Sequence, residues 1–456
     1  MEIFYPKSIK ELQEFIRLGK PCLYYSSRTS TVIPFDRLET LFKVDELTLC
    51  DLTSMPKKII FEQNNCVSIE GPVTWKELKV EALQRGFRIK TMPTEDLATV
   101  LAGLATSCTG EHAFGFGTLR SQVMECTYLN YNGQQCKLSS KESFENELKK
   151  LLNESQYTLV KNNLLEYQKQ FVKYESFKNA PFPRMQFATD LMIGTEGQLG
   201  IITNAKIEIE KMESIEHFFI TVPRWEVNGD VHIKLMELVQ KFRGKILAVE
   251  FIDWNSQVFL PQDVQIANNE DCVFFEIRSE YFDEIYQDLF LQIPGINEDK
   301  IFQFSEAKFH QFRASIPRLI NEFNSRNGIL KKGTDVQVEK SQFKELLSTY
   351  RLWSKLGIKY NLFGHFGDAH LHFNFLPLPH QVQIVQKVLD SFYLELSSKV
   401  ASPFAEHGIG FLKKYYIKDF YNEKVITFFA DLKSLYDPKS QFFPYGPMDP
   451  KSKTKF

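Results

Sequence analysis

Val67-Ser68-Ile69-Glu70-Gly71-Pro72-Val73-Thr74-Trp75-Lys76-Glu77-Leu78 carries a strand, a turn and a helix start in one run. Val67 and Ile69 alternate with Ser68 and Glu70, the spacing of a half-buried strand, and Gly71-Pro72 ends it. Thr74 followed three residues later by Glu77 is a capping-box pattern that predicts a helix to about Leu83. The same alternation extends outward. Pro6 to Leu18 predicts a helix with Ile9, Leu12 and Ile16 on one stripe, and Cys22–Tyr25 a short buried strand. That strand runs into the polar turn Ser26-Ser27-Arg28-Thr29-Ser30. Tyr128 to Gly133 predicts a strand closed by an Asn-Gly hairpin turn. Residues 1–136 therefore alternate strands and helices.

Residues 141–176 change character. They are charged, lack Gly and Pro, and set Leu148, Leu151, Leu152, Leu159, Leu164 and Leu165 at roughly helical spacing, predicting a helical excursion with an exposed surface for a protein partner. From about 211 to 400 strands and helices mix again, as a second domain would. Two or three domains suit 456 residues and 53.2 kDa. A hydrophobic share of 43% with 25% charged residues is the balance of a soluble globular chain. A net charge of -2 provides no basic field for nucleic acid or an anionic membrane. No stretch approaches the ~20 apolar residues of a membrane span, and Met1–Lys7 lacks a secretory apolar core. The seven cysteines are scattered with no CxxC, which argues against an iron–sulfur cluster and for reduced thiols in the cytoplasm.

Three stretches carry chemistry. In Gly364-His365-Phe366-Gly367-Asp368-Ala369-His370-Leu371-His372-Phe373-Asn374, alternation puts His370, His372 and Asn374 on one face of a strand and Leu371 and Phe373 on the other. Gly364 and Gly367 permit a turn that folds His365 back towards His372. Two imidazoles and a carboxylate suit zinc or a similar divalent ion with an open position; the plainer reading is a His-rich surface strand. Ala405-Glu406-His407-Gly408-Ile409-Gly410 offers a third ligand, Glu406, and a base, His407, although an acidic helix end with a glycine cap explains it equally well. Gly194-Thr195-Glu196-Gly197-Gln198-Leu199-Gly200-Ile201-Ile202-Thr203 packs a chain closely against something flat or phosphorylated. It is neither a Walker A loop nor a nicotinamide fingerprint.

Taken in order, these segments resemble the FAD-linked D-2-hydroxy-acid dehydrogenases (D-lactate, D-2-hydroxyglutarate and glycolate enzymes) of the vanillyl-alcohol-oxidase, PCMH-type flavoprotein superfamily. Tyr5–Leu12, Val67–Leu78, Phe116–Val123, Gly194–Thr203, Gly364–Asn374 and Ala405–Gly410 carry the resemblance. It implies an α+β chain: a two-subdomain FAD-binding domain over 1–210 with a helical insertion at 141–176, an α/β cap over 211–400, and a C-terminal segment, 401–456, returning to the FAD domain. FAD contacts are implied at Ser26, Ser27, Arg28, Thr29 and Ser30; at Thr94, Thr99, Ala102, Gly103, Thr106, Ser107, Gly110 and Gly117; and at Glu196, Gly197, Gly200 and Ile202. His365, His372 and Glu406 match ligands of a divalent metal, Zn or Mn. His407 matches the base, Asn374 and His370 substrate-side positions, and Arg313 with Lys332 the clamp on the substrate carboxylate.

The implied reaction oxidises a small D-2-hydroxy acid and passes electrons to an external acceptor, a quinone, a carrier protein or oxygen. The location is cytoplasmic, with a peripheral seat on the inner membrane face as a variant. A silent FAD-binding subunit of a multi-protein oxidase, or a same-fold flavoprotein acting on a larger apolar substrate, are the competing readings. The chain departs from the family pattern: Ser26 and Arg28 replace diphosphate-loop glycines, Leu101-Ala102 replaces a glycine pair, Ala369-His370 replaces Gly-Asn, and Glu339 replaces a proline.

Overall fold

The computed structural model describes residues 2–42, 47–175, 177–178, 184–262, 265–266 and 269–449, except for the side chains at 310, 313, 314 and 317. Three strands, β1 (Ile3–Phe4), β2 (Cys22–Tyr25) and β3 (Thr48–Asp51), form a parallel sheet in the order β1-β3-β2. Helix α1 (Ile9–Arg17) is started by Ser8, whose hydroxyl accepts the Glu11 N–H, and it buries Leu12, Phe15 and Ile16.

A second sheet is antiparallel. It comprises β4 (Lys58–Glu62), β5 (Cys66–Glu70), β6 (Phe87–Ile89), β7 (Val123–Leu129), β8 (Gln135–Ser139) and β9 (Ile201–Lys211), with β9 between β5 and β7. The expected strand at 67–70, the Asn-Gly hairpin and the Thr74/Glu77 box all form; the box opens α2 (Trp75–Gln84). Helix α3 (Val100–Ala105) follows.

The charged stretch after 141 folds as α4 (Phe144–Leu151) and α5 (Glu154–Phe171), but its face differs from the leucine reading. Leu151, Leu159 and Leu165 are exposed, while α5 buries Tyr157, Val160, Leu164, Tyr167 and Phe171. Those five recur at i, i+3, i+7, i+10 and i+14, an amphipathic stripe made mostly of aromatics. It packs on the last long helix: the Tyr167 ring lies 5.9 Å from Phe428 and 5.4 Å from Phe429. The stretch is built into the core, so the purely exposed excursion expected here is corrected.

The remaining strands form a nine-stranded sheet: β10 (Ile215–Val222), β11 (Ile246–Ile252), β12 (Asp271–Arg278), β13 (Ile301–Gln303), β14 (Lys332–Gly333), β15 (Gln337–Val338), β16 (Tyr360–His365), β17 (His370–Phe375) and β18 (Ala401–Ser402). Its centre runs β10-β12-β11-β16-β17, all antiparallel, with β14 pairing β17. Helix α6 (Glu306–Arg326) crosses it, and α7 (Glu423–Tyr436) is the helix on which α5 packs. Among the described residues no helix is long and apolar enough to cross a membrane.

Candidate active site

β17 alternates as its sequence demands, yet all six residues are buried. Phe373 and Phe375 face an aromatic cluster with Tyr350 and Trp353, while His370, His372 and Asn374 lie on the opposite face. A His-rich surface strand is thereby excluded. His365 ends β16 and sits across from His370, the chain turning through Phe366–Asp368. Gly364 allows the approach of the two strands: at its φ of +144°, an added Cβ would stand 2.8 Å from the His370 carbonyl.

The side-chain hydrogen bonds fix which ring nitrogens face one another. His365 Nδ1 donates to the buried carboxylate of Glu250 on β11 at 2.8 Å, and His372 Nδ1 donates to the Thr334 carbonyl at 3.0 Å. Both Nε2 atoms then turn to one oxygen of Glu406, at 3.1 and 3.3 Å. When both rings are neutral, two lone pairs and a carboxylate meet with nothing positive between them. A proton on His365 answers this: burial opposes its charge, but Glu250 and then Glu406 outweigh burial and raise it to about 9. A divalent ion answers it with all three ligands, each imidazole being oriented from behind as metal-bound histidines are. The donor set fits such an ion.

Asp335 organises the neighbouring turn. It accepts the backbone N–H groups of Glu406 and His407 at 3.0 and 3.1 Å and the Lys413 ammonium at 2.5 Å. His370 Nε2 stands 3.2 Å away and His407 Nδ1 3.7 Å away. Burial opposes its charge, but Lys413 and His407 hold the Asp335 carboxyl well below the usual range. The His407 ring stacks on His372 at 5.3 Å, and burial lowers it to about 4, leaving it neutral to accept a proton. Glu406 is also held well below the carboxylate range, burial being outweighed by His365, His372 and the ammonium of Lys178. Glu250, Asp335 and Lys178 carry no motif at sequence level.

A cavity of about 1640 Å³ runs from this cluster to the turn after β2. His365, His372, Asn374, Glu406 and His407 line one end. Ser26, Ser27, Arg28, Thr29, Ser30, Thr94, Thr99, Ala102, Gly103, Thr106, Glu196, Gly197, Gly200 and Ile202 line the rest. Ser107, Gly110 and Gly117 do not reach it: Gly110 packs against the Met92 carbonyl, and Gly117 turns the chain at φ +82°. His370 does not reach it either, being enclosed behind His372. Glu196 has a second task, accepting the Ile409 and Gly410 N–H groups at 2.5 and 2.9 Å and so fixing the turn that carries Glu406 and His407.

The clamp residues need correction. Lys332 donates to Gln386 at 2.8 Å on edge strand β14 and does not line the cavity; Lys331 does. Alternation along the extended chain turns the two side chains to opposite sides. The cavity walls desolvate Lys331 and lower its pKa. Arg313 lies on α6, but its side chain is outside the described residues.

Two of the positions read as replaced glycines keep glycine-like backbone. Arg28 has φ +56° and Ala369 φ +52°. The Arg28 guanidinium is folded over Tyr25, 4.6 Å from the ring centroid, and lies 3.9 Å from Asp51. Two hydroxyls lining the slot, Ser26 Oγ and Thr109 Oγ1, are buried and find no partner among the described residues, which suits donors meant for a ligand. Cys108 also lines it, its thiol pushed far up by burial, so it is a poor nucleophile for attachment to a flavin.

Residues 235–445 match the C-terminal domain of FAD linked oxidases. That match covers 211 of the 456 residues and marks the second half of the chain as similar to the FAD linked oxidases. The nine-stranded sheet apart from β10, the His segment and the Glu406 turn fall inside the matched span. The fold of the whole agrees: alkyldihydroxyacetonephosphate synthase superposes with a TM-score of 0.64 at 13% identity, covering 97% of this chain and 75% of that one. Among sequence relatives, the mitochondrial D-lactate dehydrogenase [cytochrome] of Kluyveromyces lactis is 22% identical, covering 96% of this chain and 72% of the relative. The mitochondrial D-2-hydroxyglutarate dehydrogenase of Arabidopsis thaliana is 27% identical, covering 56% of this chain and 47% of the relative. The fold is thus shared with that synthase over nearly the whole chain, and its second half matches the FAD linked oxidase C-terminal domain.

Proposed function

We propose that the protein oxidises a small D-2-hydroxy acid with non-covalently bound FAD and one divalent metal, Zn or Mn. The observation that carries this reading is the convergence of His365 Nε2, His372 Nε2 and Glu406 on the cavity that the flavin-matching residues also line. The fold family and the dehydrogenase relatives support FAD and the substrate class. When bound, FAD accepts a hydride and the metal lowers the pKa of the substrate hydroxyl. His365, His372 and Glu406 would hold the metal; Ser26–Ser30, Thr99, Ala102, Gly103, Thr106, Glu196, Gly197, Gly200 and Ile202 would hold the flavin. His407, neutral and oriented by Asp335, takes the hydroxyl proton. Lys331 faces the substrate carboxylate in the role first given to Lys332, with Arg313 on the helix above, and Asn374 contacts the substrate. His370 acts through its neighbours.

We divide the chain into an FAD-binding unit over 1–210, a cap over 211–400 and a return segment over 401–456. Electrons leave to an external acceptor. Anaerobic addition of D-lactate, D-2-hydroxyglutarate and related acids, with flavin absorbance followed, tests the reading. Bleaching by at least one acid and not by its L-isomer is expected; an FAD-loaded, metal-loaded protein that no 2-hydroxy acid reduces contradicts it.

A further inference from the structure

The helical stretch after 141 returns to the fold beside the candidate active site. Past α5 the chain buries Tyr174 and Phe177, whose rings lie 5.4 Å apart, and then Lys178, only 4% exposed. The Lys178 backbone N–H donates to Gln337 Oε1 at 2.9 Å, and Gln337 Nε2 donates to the Asp368 carbonyl at 2.9 Å. Gln337 is also paired with His370 across β15 and β17. Lys178 is thereby pinned to the turn and strand that carry His365, His370 and His372.

Its ammonium is buried, has no hydrogen-bond partner among the described residues, and does not line the cavity. Its field reaches Glu406, His365 and His370, so it stands behind the proposed ligands and outside the substrate's path. A charge buried without a partner is costly, and a hydrocarbon side chain of the same length would fill the space without that cost. The charge therefore needs a use at the site it faces. In the proposed reaction the substrate gives its hydroxyl proton to His407 and its C2 hydride to FAD, leaving a 2-oxo acid. Its oxygen carries negative charge on the way, and a fixed cation nearby favours that charge. We infer that Lys178 is a positioning residue of the metal site, a fixed charge that loosens the hold of His365, His372 and Glu406 on a divalent ion while stabilising negative charge on the substrate oxygen. The inference rests on the metal site of the proposed function.

The test uses full-length, FAD-loaded protein stripped with chelator and titrated with Zn²⁺. Lys178→Met is expected to bind Zn²⁺ ~10-fold more tightly than wild type, since a like charge has left the ion's surroundings. Its flavin should bleach ~10-fold more slowly with the acid, D-lactate or D-2-hydroxyglutarate, that reduces the wild type. The stripped variant should melt no lower than wild type, because a thioether replaces an unpartnered charge. Lys178→Arg, which keeps the charge, should bind Zn²⁺ as wild type does, and Lys178→Gln provides a second neutral variant should Lys178→Met fold poorly. Weaker or unchanged Zn²⁺ binding in the neutral variants overturns the inference and leaves the ammonium a folding role alone. Wild-type protein that binds no Zn²⁺ overturns the metal site of the proposed function, and this inference with it.

Discussion

Asp335 holds His407 twice: its Oδ2 accepts the His407 backbone N–H at 3.1 Å and stands 3.7 Å from Nδ1 of the ring. One carboxylate thus sets both the chain position and the ring of the proposed base. The same group ties down Glu406 and Lys413.

Asp335→Asn keeps the shape and removes the charge. Turnover is expected to fall by ~10²-fold or more, as loss of a base's orientation does. Breaking the buried pair with Lys413 costs about 3–5 kcal/mol, read as a lower Tm. A variant with normal turnover would show that His407 needs no orienting partner.

Lys331→Met and Lys332→Met are neighbours with different expected outcomes. Losing a charge-assisted contact to the substrate carboxylate is worth about 1.5–3 kcal/mol, so Lys331→Met should raise KM by ~10- to 100-fold. Lys332→Met should leave KM near wild type, since its ammonium binds Gln386. Equal effects in steady-state kinetics would remove Lys331 from the clamp.

Tyr167→Ala opens a space between α5 and α7 and is expected to cost about 3–5 kcal/mol in denaturant unfolding. Leu159→Ser, at a position 72% exposed, should change stability by no more than about 0.5 kcal/mol. A mild Tyr167→Ala would restore α5 to a separable excursion.

Local signals decided what was legible in the sequence. The box at Thr74 and Glu77, the strand at 67–70 and the alternation through β17 are short-range rules, and the chain obeys them. The residues that complete the site are not local. Glu250 reaches His365 across a sheet, and Asp335 reaches His407 across 72 positions of chain. Neither carboxylate stands in a pattern of its own. The resemblance points to Lys332, just before Gly333, whereas side-chain alternation at an edge strand brings Lys331 to the cavity. The leucine spacing does not define the buried stripe on α5, since Leu159 and Leu165 are exposed and Tyr157, Tyr167 and Phe171 carry the periodicity.

Elemental analysis of FAD-loaded His372→Ala beside His370→Ala tests the metal site most directly. His372 offers Nε2 to the cavity beside Glu406, whereas His370 is enclosed against Asp335. His372→Ala is predicted to lose one divalent ion relative to wild type and all acid oxidation while keeping its flavin, and His370→Ala to keep that ion. A His372→Ala protein with the full wild-type metal content would contradict the assignment even if its activity were gone.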